Sequence, residues 1–235
     1  MEIDKMLTSI DKILKQGIEK FGFDDYIFEK QEGIFKPYTY NKFYEDVLKF
    51  TSFFYAKSLK NKKIALYAEN SYNYMVADIA VMAYTGICVT LAQQWTGEDI
   101  KNIISEISLD AIVYDKTKSA VIDELKKQYA DIEFIAFEDL HRYNGQNADA
   151  PTVVDTKLCS KIVFSSGTTG DPKAVMLSQK NMFANVDNLF KRTAMNNTDS
   201  CYLFLPLSHT YGGIGNFLYS LISGMKIYLC SDKTR

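Results

Sequence analysis

Residues 62–92 read KKIALYAENSYNYMVADIAVMAYTGICVTLA, and the division of this stretch decides the fold. KKIALYAE has the pattern of a strand, an apolar helix starts near Ser71 and ends near Gly86, and CVTLA is a second short strand. The alternative is a membrane span, because Met75 to Ala92 is almost wholly apolar and long enough to cross a bilayer. Asp78 lies inside that run and Thr85-Gly86 breaks it. An unpaired carboxylate near bilayer depth is costly, so a buried helix followed by a strand is the better division and no membrane span is expected.

The same alternation continues outward. Upstream, Ile10, Ile13, Leu14, Gly17, Ile18 and Phe21 form a helical stripe with Lys and Glu opposite, and Phe43, Val47, Phe50 and Phe54 form a second after the segment KPYTY. Downstream, Thr96 and Asp99 give a capping signal ahead of Ile100, Ile103, Ile104 and Ile107. AIVYD and IEFIAF read as strands, with a helix face Ile122-Leu125-Tyr129 between them. Residues 142–157 are polar, carry Gly, Pro, Asn and Asp, and look like a surface connector. Beyond it come the strand KIVFSS, a Gly-rich loop, the strand AVMLS, a helix from about Gln179 and the strand CYLFLP. A helix near residues 214–223 and the strand KIYLC follow. The expected fold class is α/β, with a mainly parallel sheet flanked by helices on both faces. Residues 165–173 are expected to join two strands. The connector allows a subdivision into 1–141 and 158–235.

Composition narrows the function. The 235 residues are 47% hydrophobic and 24% charged, the balance of a soluble globular chain large enough for a real core. The 27 basic and 29 acidic side chains are interspersed, and with no basic stripe a nucleic-acid partner is not expected. The four cysteines, Cys88, Cys159, Cys201 and Cys230, are far apart, with no CxxC pair and no histidine at ligand spacing. That pattern speaks against a disulfide framework or a protein metal site and for a reducing, cytoplasmic compartment. The N-terminal MEIDKMLTSIDKILKQ has no signal-peptide core.

Residues 165–173, Ser-Ser-Gly-Thr-Thr-Gly-Asp-Pro-Lys, carry the chemistry. Gly167 and Gly170 permit positive φ, so successive backbone N–H groups can turn toward one anion. Ser165, Ser166, Thr168 and Thr169 add hydroxyl donors, and Lys173 brings a full positive charge on a flexible stem. A polar hairpin turn would use the same residue types. Yet so long a run of hydroxyls and glycines, followed by Pro-Lys between two apolar strands, exceeds what a turn requires. It reads as a phosphate cradle. A Walker A loop is disfavoured, since Pro172 stands where its second glycine belongs and Ala174 where its magnesium-binding hydroxyl belongs, although Lys173 lies at the right distance.

SSGTTGDPKAV resembles the phosphate-loop signature of the acyl-adenylate-forming superfamily, which includes acyl-CoA synthetases, aryl-CoA ligases, luciferases and peptide-synthetase adenylation domains. Three further segments resemble the same superfamily in the same order: PYTYNKFYEDV, IALYAENSYNYMVADIAVMAYTGICVTL and DSCYLFLPLSHTYG. The resemblance covers roughly Tyr38 to Cys230. Ala174 replaces a usual glycine, Thr90-Leu91 a usual Pro-Leu, and Phe43-Tyr44 shift the first segment's match.

The resemblance implies that a carboxylate is joined to ATP, with Mg2+, to give an acyl-adenylate and pyrophosphate. It then implies a thioester, with CoA or a carrier-protein thiol as acceptor. Ser165, Ser166, Gly167, Thr168, Thr169, Gly170 and Lys173 would bind the nucleotide's phosphates, with Lys173 as the catalytic cation. His209, Tyr211, Gly212 and Gly213 would line the acyl pocket. Amino-acid-activating relatives place an aspartate there, whereas this chain has Ser208-His209. A fatty or aromatic acid is therefore expected over an amino acid. The superfamily's later Tyr-Gly-x-Thr-Glu segment, ribose-binding aspartate and late lysine are not found before Arg235, so the chain reads as an incomplete N-terminal adenylation domain, inactive alone. The alternative is a catalytically silent nucleotide-binding or interaction module. The phosphate loop is also expected to be weakly ordered without a ligand.

Overall fold

The computed structural model describes residues 8–145, 151–165 and 172–229. In chain order its strands are β1 (Asp25–Gln31), β2 (Ile34–Thr39), β3 (Lys63–Tyr67), β4 (Ile87–Thr90), β5 (Ala111–Tyr114), β6 (Glu133–Ala136), β7 (Cys159–Ser165), β8 (Lys173–Ser178), β9 (Ser200–Leu203) and β10 (Lys226–Leu229). The helices are α1 (Ile10–Phe21), α2 (Tyr40–Ala56), α3 (Tyr72–Ala80), α4 (Gly97–Ile107), α5 (Ser119–Lys126), α6 (Phe137–Arg142), α7 (Gln179–Phe190) and α8 (Tyr219–Ser223).

Local chemistry sets the starts of the helices. Ser9, Thr39 and Ser71 each accept a backbone N–H of the first turn of α1, α2 and α3. Thr96 and Asp99 close a reciprocal capping box at α4. The helix α3 runs on as a π-helical turn over Val81–Thr85, closed by the Gly86 N–H donating to the Val81 carbonyl, before β4 begins. Residues 62–92 are thus a strand–helix–strand unit, with β3 and β4 parallel. Among the described residues, no helix is long and apolar enough to cross a membrane.

The strands divide between two sheets. The larger has the order β6-β5-β3-β4-β7-β8, parallel except for the antiparallel pair β7–β8. The smaller has the order β2-β1-β10-β9, where β1–β2 is a hairpin and β1–β10 and β10–β9 are parallel. The hairpin turns through Glu32 and Gly33, both at positive φ (50° and 84°), the geometry that matches the twist of two-residue hairpins. Strands on either side of 142–157 pair within both sheets, β4 with β7 and β1 with β10.

Alternation along the strands covers both faces of the larger sheet. Ile64, Leu66, Ala111 and Val113 join a core with α1, α2, α3 and α7 and with Ile27, Leu203, Ile227 and Leu229 of the smaller sheet. Ala65, Tyr67, Ile112 and Tyr114 point the other way, into a second core with Ile100, Ile103 and Ile104 of α4 and Ile122 and Leu125 of α5. Mainly parallel strands with helices on both faces are what the sequence predicts. The partition into two sheets is additional.

Candidate functional site

A cavity of about 600 Å³ opens past the carboxyl ends of β4 and β7. In open α/β sheets that end of the strands is where ligands sit. Its walls come from three places in the chain: Ala92, Gln94 and Trp95 after β4; Val163, Phe164 and Ser165 of β7, with Pro172, Val175 and Leu177 opposite; and Pro206, Ser208, His209 and Thr210. Trp95 packs edge-on against Phe164, with ring centroids 5.0 Å apart, giving an aromatic wall.

Ser165 ends β7 and Lys173 begins β8, and the two stand opposite each other in the antiparallel register. Both side chains are exposed, and Ser165 lines the cavity. Residues 165 and 173 therefore bracket a connection between two strands, as the sequence predicts. Ser166, Gly167, Thr168, Thr169 and Gly170, together with the expectation of weak order, lie outside the described residues.

The segment 206–213 forms the opposite wall. His209 donates its backbone N–H to the Pro206 carbonyl (3.0 Å), and its own carbonyl accepts the Gly213 N–H (2.9 Å). Its ring Nδ1 accepts the Tyr211 N–H at 3.2 Å. Gly212 and Gly213 are buried, and a Cβ on Gly212 would stand 2.2 Å from the Pro206 carbonyl oxygen. The absence of that Cβ lets the chain double back onto itself. A π-helical stretch, Tyr211–Leu218, then runs into α8. Of the predicted acyl-pocket residues, His209 lines the cavity, Gly212 and Gly213 support its loop from behind, and Tyr211 is 55% exposed outside the lining.

Three polar side chains to which the sequence reading gives no role in the site hold this geometry. Asn70, just past β3, donates from Nδ2 to the Leu205 carbonyl and accepts the Leu207 N–H at Oδ1, both at 2.8 Å. Gln93 donates to the same Oδ1 at 3.2 Å. Thr90, at the end of β4, places its hydroxyl 3.3 Å from the carbonyls of both Ile162 and Ser208, tying β7 to the His209 segment. A polar residue at the carboxyl end of a parallel strand is the signal that could have found them. Further out, the Lys118 ammonium pairs with Glu69 at 2.9 Å and caps the Gln93 carbonyl at 3.0 Å. His141 is elsewhere: its Nε2 meets Asn73 Oδ1 at 2.8 Å, and burial lowers its pKa.

Ser165 offers the cavity a hydroxyl, and Lys173, its register partner, carries an exposed ammonium, donors that suit an anion. Among the described residues, no group of three or more His, Cys, Asp or Glu side chains could hold a metal ion.

An open α/β sheet with a cavity at its strand ends, walled in part by Ser165, is the architecture on which the comparisons with known proteins bear. The family model for AMP-binding enzymes matches residues 19–235, and the chain belongs to that family. It is 24% identical over 187 residues to a long-chain-fatty-acid–CoA ligase 5 of Rattus norvegicus, an alignment covering 66% of this chain and 27% of that protein. Its fold matches the inhibitor-bound N-terminal domain of FACL13 from Mycobacterium tuberculosis with a TM-score of 0.84 at 18% identity, over 95% of this chain and 57% of that one. It also matches o-succinylbenzoate coenzyme A synthetase of Bacillus subtilis, solved with ATP and magnesium, with a TM-score of 0.79 at 16% identity over 93% and 56%. The chain thus spans about a quarter of that curated relative and a little over half of these solved structures.

Proposed function

We propose that the chain supplies the phosphate-binding and acid-binding part of an AMP-forming carboxylate-activating ligase, of the acyl-CoA synthetase kind. The observation that carries this reading is the cavity with Ser165 on one wall and His209 on the other, Lys173 standing opposite Ser165 in the register, in a chain of the AMP-binding family. In the reaction a carboxylate oxygen attacks the α-phosphorus of ATP. The bond from that phosphorus to the bridging oxygen breaks, and pyrophosphate departs with the electron pair. Charge grows on the leaving group, and catalysis is mostly positioning and electrostatic stabilisation. Lys173 and the hydroxyls and N–H groups of residues 165–170 hold the β- and γ-phosphates. Magnesium, bound to ATP, offsets part of their charge.

His209 and the apolar surface of Trp95, Phe164, Val175 and Leu177 take the acid. Among the described residues, the wall offers no carboxylate to pair with a substrate ammonium, which favours a fatty or aromatic acid over an amino acid. The acceptor is a CoA or carrier-protein thiol. The shared sheets favour treating residues 1–235 as one unit, a partial adenylation domain relative to its relatives' length. Among the described residues three cysteines are free thiols, which favours the reducing cytosol.

Calorimetric titration of the purified chain with MgATP is expected to show saturable binding that pyrophosphate competes away. No heat with either ligand defeats the proposal. Hydroxylamine trapping with fatty and aromatic acids separates the two levels of activity. The 235-residue chain is expected to bind nucleotide without forming hydroxamate, whereas ATP-dependent hydroxamate would show that it is catalytically sufficient.

A further inference from the structure

Beneath the cavity lies a fully buried ion pair that the site above does not use. Lys161 Nζ donates to both carboxylate oxygens of Asp78, at 2.7 and 2.6 Å, and neither side chain is more than 1% exposed. The Cys88 thiol donates to the same carboxylate at 3.0 Å. One helical turn before Asp78, the buried Tyr74 hydroxyl has no partner among the described residues. Burial and the Asp78 charge hold both the Cys88 thiol and the Tyr74 hydroxyl in their protonated forms.

Core stability does not account for such a pair, because two well-packed apolar side chains of similar volume are often as good or better. Its placement does. Lys161 stands four residues before Ser165 on β7 and faces the same side as Val163 and Ser165, while Ile162 and Phe164 face the other core. Asp78 belongs to α3, just ahead of its π-helical turn, and Cys88 belongs to β4, two residues before Thr90. The ammonium lies directly behind the His209 segment: a Cβ on Gly213 would come within 3.7 Å of Lys161 Nζ and 2.6 Å of the Leu207 carbonyl oxygen. The pair therefore touches β4 and β7 and lies against the segment that carries His209.

We propose that Lys161 and Asp78 are a positioning pair, which fixes the end of β7 relative to residues 206–213 and so sets the gap between Ser165 and His209. The consequence for nucleotide binding rests on the function proposed above; the positional effect does not.

The test uses Lys161→Met, Asp78→Leu and the two combined. Each single change leaves a buried charge unpaired and is expected to weaken or unfold the chain. The double variant restores an apolar core and is expected to melt near the parent. Hydrogen exchange followed by mass spectrometry should then show residues 159–165 and 206–213 exchanging roughly tenfold faster in the double variant, with β3 and β5 unchanged, and MgATP binding weakened by a similar factor. A double variant that matches the parent in both readouts overturns the proposal. Faster local exchange at unchanged affinity overturns its link to the nucleotide. If the double variant does not fold, Asp78→Asn, of nearly equal volume, is measured instead: acceleration confined to the two segments supports positioning, and uniform acceleration overturns it. A parent that fails to bind MgATP removes the nucleotide reading, and the exchange pattern still decides the positional claim.

Discussion

Ser165 and Lys173 face each other across the terminal register pair of an antiparallel ribbon, and Ser165 and Pro172 at its end line the cavity. The two strands bring a hydroxyl and an ammonium to the same end of the sheet, where, under the proposed function, both would meet one anion.

Lys173→Ala is therefore expected to weaken MgATP binding about tenfold to a hundredfold, the range for losing a hydrogen bond to a charged group. The exposed lysine carries little of the fold, and the thermal midpoint should move by less than about 2 °C, as for other surface changes. Calorimetry and a melting curve on the same preparation check both. Unchanged affinity removes Lys173 from the site.

Asn70 is expected to matter for shape more than for charge. Asn70→Ala leaves the Leu205 carbonyl and Leu207 N–H without their partner, a loss of about 2 kcal/mol. In a chain of this size that is a drop of about 4–8 °C in Tm. Urea unfolding gives the first figure and calorimetry the second. Asn70→Asp keeps the acceptor for Leu207 and loses the donor for Leu205, so it should fall between the parent and the alanine variant.

Where sequence and structure agree, the information is local. The Thr96–Asp99 box, the stripe of Phe43, Val47, Phe50 and Phe54, and the strand–helix–strand division of 62–92 each depend on residues within a few turns of one another. Asp78 illustrates the limit. Its sequence position argues against a membrane span, yet the partner that makes its burial tolerable is Lys161, 83 residues away. Asn70 and Leu205 are 135 apart. No periodicity reports such pairings.

The β1–β2 hairpin is hidden for a different reason. One face of the smaller sheet carries Phe28 stacked on Tyr228, with Phe35 edge-on to Tyr228, while the other face is core. Both faces are therefore apolar in part, and the period-two alternation that marks a half-buried strand is blurred. The turn itself is Glu32-Gly33, and the usual Asn-Gly or Asp-Gly signal is missing. Similarly, the helix expected near 214–223 begins as a π-helix at Tyr211, a change of hydrogen-bond step that composition does not announce.

Two glycines give a matched comparison. Gly212→Ala would drive a methyl against the Pro206 carbonyl, whereas an alanine at Gly33 meets nothing within 4 Å and is strained only by its positive φ. The first is expected to cost about 1–3 kcal/mol by overpacking and to displace the His209 segment. The second should cost about 1–2 kcal/mol through backbone strain, with no effect on the cavity. Urea unfolding combined with MgATP titration separates them: both variants lose stability, but Gly212→Ala alone loses affinity. Equal affinities would mean that Gly212 does not hold the site.

The chain should also lose stability in alkali, and Cys201 lets the sign be worked out. Burial pushes its thiol from the ordinary value of 9.0 up to about 11. In the folded chain the thiol keeps its proton to higher pH than in the unfolded chain, so the unfolded state releases its proton first. The contribution is fully present below pH 9 and is lost as the pH rises through the window from 9 to 11. Cys88 shifts the same way, further, because it is wholly buried and lies against the Asp78 carboxylate. Urea midpoints measured between pH 7 and about pH 11 should be flat at first and then fall, the fall starting near the unfolded thiol pKa. Cys201→Ala removes one of the titrating groups, so its curve should start lower, through the small cavity left behind, and fall less steeply. A variant curve parallel to the parent's across the whole range would show that Cys201 is not held protonated by the fold.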